Sequence, residues 1–191
     1  MKNTPLACLT LFLAALTLGA CSSPDDPLSG EDGEVPALIN AAESGDLTQV
    51  AGLLDAQQNA DVRDACHWTP LMKAALYGHT EVARRLLQAG AQTDLQDKGG
   101  YTALMLAASN NHHQLVTLLL EFGAEVNRTE QTKGWSALIW AAKQGHVESV
   151  QALLQGQARS DIRDLEGKSA LDWAQQNNHP AVVALLSGNQ G

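Results

Sequence analysis

Six histidines, a spread of aspartates and glutamates and three cysteines are the side chains from which this 191-residue chain could build a metal site or a nucleophilic centre. Their spacing argues against both. His79, His112, His146 and His179 recur at intervals of 33, 34 and 33, so each belongs to a different copy of a repeated unit, too far from the next in a stack to share one ion. His67 and His113 fall in no ligand pattern. Asp61, Asp94 and Asp161 keep step with the same period and suit the hydrogen bonds that start turns. No glycine-rich phosphate loop follows a strand and no serine sits in a nucleophile elbow. The expectation is a protein with no catalytic residue, no metal and no cofactor.

The elements that position these residues follow from the period itself. Leu38, Leu71, Leu104, Leu138 and Leu171 are each followed three residues later by an alanine, Ala41, Ala74, Ala107, Ala141 and Ala174. An i, i+3 pair lies on one helix face, and the small alanine admits a neighbouring helix closely. A leucine pair recurs later in each unit, from Leu53 and Leu54 to Leu185 and Leu186, marking the buried side of a second helix. Thr69 before Pro70, and Thr102, Ser136 and Ser169, suit the N-cap of the first helix. Gly78, Asn111, Gly145 and Asn178 suit the left-handed residue that ends it. Gly100, Gly134 and Gly167 mark β-turn fingers between hairpins, the fourth of which, Arg128 to Lys133, is one residue longer than its neighbours.

Composition narrows the class further. Leu and Ala each occur 29 times against 4% aromatic residues, a balance that favours packed helices. The net charge of −9 repels phosphate backbones, which makes nucleic acid a poor partner. Lys2 and the apolar run to Leu18 have the pattern of an export signal, too short to span a bilayer. Leu18-Gly19-Ala20-Cys21 resembles the lipobox of bacterial lipoproteins, which implies cleavage after residue 20, acylation of Cys21 and a membrane anchor. Ser22 at the second mature position resembles the enteric sorting rule for the outer membrane. With Cys8 removed and Cys21 acylated, Cys66 alone is left for redox chemistry, so no intramolecular disulfide is expected. Residues 22–34 carry five acids, two prolines and two glycines, the composition of a flexible tether.

Residues 68–75, Trp-Thr-Pro-Leu-Met-Lys-Ala-Ala, with Gly78-His79, Leu86-Leu87 and Gly90-Ala91 in order, resemble the ankyrin repeat. The likeness covers 35–187 as five units and implies an all-α solenoid of helix-turn-helix units with β-turn fingers, followed by a disordered tail, 188–191. The imidazole usual after the Thr-Pro-Leu run is replaced by Ile39, Met72, Met105, Ile139 and Asp172. The resemblance further implies that a protein partner is met by the finger tips and the exposed face of the first helix. On this chain that surface holds Trp68, Tyr77, Lys98, Tyr101, Lys133, Trp135, Lys143 and Lys168.

Trp68, Tyr101 and Trp135 share one repeat position. They form either an exposed aromatic column of the kind binding hot spots use or packing for the finger base. The lysines beside them either select an acidic partner surface or make an ordinary solvated face. The leading expectation is a monomeric, lipid-anchored interaction module in the bacterial envelope, on the outer membrane facing the periplasm. Two alternatives stand beside it: an accessory factor for a catalase or peroxide defence, which similar exported ankyrin proteins suggest, and an inhibitor or immunity protein that blocks an envelope enzyme or toxin.

Overall fold

The computed structural model describes residues 35–188. The export segment, Cys21 and the acidic stretch 22–34 lie outside the described residues, as does the tail from 189 onward. Ten helices run in five pairs: α1 Ala37–Ser44 with α2 Leu47–Asp55, α3 Pro70–Tyr77 with α4 Thr80–Gln88, α5 Ala103–Ser109 with α6 His113–Glu121, α7 Ala137–Gln144 with α8 Val147–Gln155, and α9 Ala170–Gln176 with α10 Pro180–Gly188. Gly188, assigned to the tail from sequence, closes α10 instead, a boundary shift of one residue in a helix whose last turn is apolar up to Leu186. Among the described residues no strand forms, only an isolated bridge between Thr129 and Ser136 in the fourth finger. No helix there is long and apolar enough to cross a membrane.

Hydroxyl caps set the start of each later first helix. Thr69, Thr102, Ser136 and Ser169 accept the backbone N–H of Met72, Met105, Ile139 and Asp172. In the last unit Asp172 returns the bond to the Ser169 N–H, a capping box. The residue in the usual imidazole slot is thus polar only where it closes a cap; Ile39, Met72, Met105 and Ile139 are buried and extend the core instead. Leu38, Leu71, Leu104 and Leu138, with the alanines three residues on, form one continuous core from unit to unit. The first helices pack on one another more closely than the second helices do, as their small buried alanines allow. The stack therefore bends toward the first helices and the fingers, which makes that side concave.

The recurrent histidines hold this register. Nε2 of His79, His112, His146 and His179 lies 3.0, 3.2, 3.0 and 3.1 Å from the carbonyl oxygen of Glu43, Leu76, Ser109 and Lys143, each at the end of the preceding first helix. A carbonyl only accepts, so Nε2 carries the proton. Burial pushes the His146 imidazole below its ordinary pKa against the bond to Ser109, which keeps that ring neutral. The rings also explain the glycines: a Cβ on Gly78, at φ 76°, lies 2.5 Å from His112 Nδ1. Asn111 fills the same slot in the third unit at φ 58°, where its side chain accepts from the Ser149 hydroxyl.

Candidate functional site

Each finger is built around one carboxylate. Asp64 Oδ1 accepts the N–H of Cys66 and Trp68, Asp97 Oδ1 those of Gly99 and Tyr101, and Asp164 Oδ1 those of Glu166 and Lys168. The fourth finger, one residue longer, uses a side chain one methylene longer. Glu130 accepts the N–H of Thr132, Lys133 and Trp135 and the Thr132 hydroxyl, and is only 2% exposed. Burial alone raises its pKa, but these four donors outweigh it and hold the carboxyl below the ordinary glutamate value. Successive fingers then join tip to tip, with Lys98 N–H donating to Cys66 O, Gln131 to Gly99 O and Leu165 to Lys133 O. His67 stands at φ 65° in the slot that Gly100, Gly134 and Gly167 fill in later fingers.

Asp61 and Asp94 do not start turns within their own units, as their spacing suggested. They accept the N–H of Gln92 and Glu125 in the following unit, and Asn127 accepts that of Arg159. A side chain one unit back thus binds a backbone donor of the next unit and ties successive units together. Asp161, at the end of this series, pairs with Arg159 of its own unit.

The aromatic residues divide. Trp135 is 3% exposed and is packing rather than an open anchor; its Nε1 donates to Asp164 Oδ2 at 2.8 Å. Trp173 donates to the same oxygen at 2.8 Å. Burial raises the Asp164 pKa, yet two backbone and two indole donors overcome it and keep the carboxylate ionised below the usual range. Asp97 receives no indole. Burial dominates there, and with the Asp64 carboxylate nearby its pKa is raised.

The rings do not form a simple column along one repeat position. Tyr101 meets Trp140 at 6.0 Å, Trp140 meets Trp135 at 4.5 Å and Trp135 meets Trp173 at 5.3 Å between centroids, so tryptophans of the first helices interleave with those of the fingers. Trp68 and Tyr101 are half-buried. Trp68 stands at the other end under Lys73, whose Nζ is 5.0 Å from its ring centroid. Of the four aromatics expected on this surface Tyr77 is the open one, 49% exposed, with its hydroxyl donating to Glu43 Oε1 at 3.0 Å.

The lysines expected beside the rings gather in the fourth and fifth units. Lys133 Nζ lies 4.3 Å from the Trp135 centroid and Lys168 Nζ 4.2 Å from that of Trp173, while Lys143 Nζ stands 5.4 Å from both. Lys98 is exposed on the third finger. Sequence reasoning missed four residues that shape this surface: Glu130, Asp164 as a double indole acceptor, the exposed Leu165, and Lys73 with its ion pair to Glu43 at 3.1 Å.

Paired helices stacked through a common core, with a line of fingers over a concave face, define a repeat solenoid of the kind that binds in a groove. A family model described as ankyrin repeats (3 copies) matches residues 38–130 and 122–191, and the chain belongs to the ankyrin repeat family. It is accordingly a protein–protein interaction module, a class that is typically non-enzymatic. No curated protein matches the chain.

Proposed function

We propose that the chain is a lipid-anchored module of the bacterial envelope that holds a partner protein in the groove between its fingers and first helices. The anchor rests on Leu18-Gly19-Ala20-Cys21 and the acidic stretch that follows. The groove rests on one observation: the finger carboxylates Asp64, Asp97, Glu130 and Asp164 turn inward onto backbone N–H groups, while Lys98, Lys133, Tyr77 and Leu165 stand exposed. Such a surface offers contact area and cations, which suits gripping a partner.

Two measurements on the full chain in cells test this reading. Metabolic labelling with palmitate is expected for the native sequence and lost in Cys21→Ser. A photo-crosslinking amino acid at Tyr77 or Leu165 is expected to capture one protein, while the same group at Thr117, exposed on α6 of the outer row, captures none. Equal labelling of Cys21→Ser overturns the anchor. Capture from Thr117 alone, or from no position, overturns the groove.

A further inference from the structure

All five lysines of the described residues, Lys73, Lys98, Lys133, Lys143 and Lys168, lie on fingers or first helices, although the whole chain carries −9. Their environments differ along the groove. Lys73 is neutralised by Glu43. Among the described residues no carboxylate pairs with Lys98, Lys133 or Lys143, and Lys168 has only Glu166, at 3.0 Å and itself 64% exposed, a pair of little strength in water.

What holds Lys133, Lys143 and Lys168 together is the indole pair beneath them. A π-face attracts an ammonium without cancelling its charge, so the three cations remain available to a second ligand. The buried carboxylates of these two fingers, Glu130 and Asp164, are each occupied by four donors and turned away from solvent. Beside the cations stands Leu165, 75% exposed and tied to the neighbouring finger by its N–H on Lys133 O. An apolar side chain that the fold leaves in water beside three cations fits a ligand with acidic groups and an apolar one in a single strand.

We infer that the fourth and fifth units form an acceptor for an acidic peptide segment of the partner, its carboxylates on Lys133, Lys143 and Lys168 and an apolar side chain against Leu165. This rests on the concave face being the partner site and adds which end of it reads charge. A phosphate backbone or an anionic bilayer shares the attraction to lysine, but the overall negative charge opposes long anionic surfaces, and a flat membrane cannot follow a concave face past its fingers. A short strand can.

The test uses the full chain and a short fluorescein-labelled peptide of Glu and Asp around a central Leu pair. Binding is expected, weaker at higher salt, and reduced about tenfold or more in the triple variant Lys133→Gln, Lys143→Gln, Lys168→Gln. Leu165→Ser is expected to reduce it several-fold and to abolish the preference over the same peptide with Ser in place of Leu. If the triple variant melts early, Lys133→Gln alone, at an exposed finger position, supplies the comparison and is expected to weaken binding at least twofold. No binding, affinity unchanged by these substitutions, or preferential capture of phosphatidylglycerol vesicles or single-stranded DNA overturns the inference. If peptide binding fails while Tyr77 still crosslinks a protein, the charge-reading site falls and the groove stands; if both fail, the groove falls with it.

Discussion

Replacing Asp164 by Ala is expected to lower the free energy of unfolding by about 3–5 kcal/mol, because several buried donors lose their acceptor together. The carboxylate is 7% exposed and accepts the N–H of Glu166 and Lys168 on one oxygen and the indoles of Trp135 and Trp173 on the other. Asp164→Asn keeps the shape but offers one accepting oxygen and turns an NH2 toward donors, so a loss of about 2 kcal/mol is expected. The sign of the pH dependence follows from the lowered folded pKa. The stabilisation by ionised Asp164 is complete above the unfolded value of about 4 and is lost as pH falls through the folded one. Urea titrations at successive pH values should therefore show the native chain's advantage over Asp164→Asn shrinking below about pH 4. A pH-independent difference removes the carboxylate from the account.

Replacing Glu130 by Ala is expected to cost about 2–4 kcal/mol, since three backbone N–H groups of the long finger lose their acceptor. The shape of the loss is more informative than its size. Glu130→Asp shortens the side chain by one methylene and no longer reaches across the longer turn, with about 1–2 kcal/mol lost. Deleting Thr132 as well restores the spacing by which Asp64, Asp97 and Asp164 each accept the N–H two and four residues on. The double change should recover most of the stability in thermal melts. Failure to recover means that the extra residue and the longer acid are not matched.

These two sites show where sequence reasoning stops. The helices were legible because leucine and alanine keep a period of 33 that only stacked hairpins satisfy, and because Thr69, Ser136, Gly78 and Gly145 carry local cap chemistry that needs no knowledge of the rest of the fold. Glu130 was invisible. Its role depends on the extra residue in its own loop, and a glutamate in a finger reads as surface charge until the turn closes around it. The burial of Trp135 was equally hidden, since its partners Asp164 and Trp173 lie 29 and 38 positions later in the chain. The repeat position suggested a column of like residues, but a first helix can insert its own ring between two fingers, as Trp140 does between Tyr101 and Trp135. The lysines were placed correctly on the finger side, whereas their clustering over two indoles depends on how Trp135 and Trp173 meet.

One consequence joins stability to recognition. The bond of two indoles to Asp164 fixes the rings on which Lys133, Lys143 and Lys168 sit. A folded variant that loosens those rings moves the cations apart without removing any of them. Partner affinity should then fall in Asp164→Asn even at temperatures where the stack remains intact, because preorganised charges bind at lower entropic cost than mobile ones.

A protein held on the face between fingers and first helices must slow amide exchange on that face. Hydrogen exchange of the full chain, free and with its crosslink-identified partner, reads this residue by residue. Added protection is predicted at the finger amides that remain open to solvent and along α7 and α9, with α4, α6 and α8 unchanged on their outer faces. Protection confined to the second helices, with the fingers exchanging as in the free chain, contradicts it.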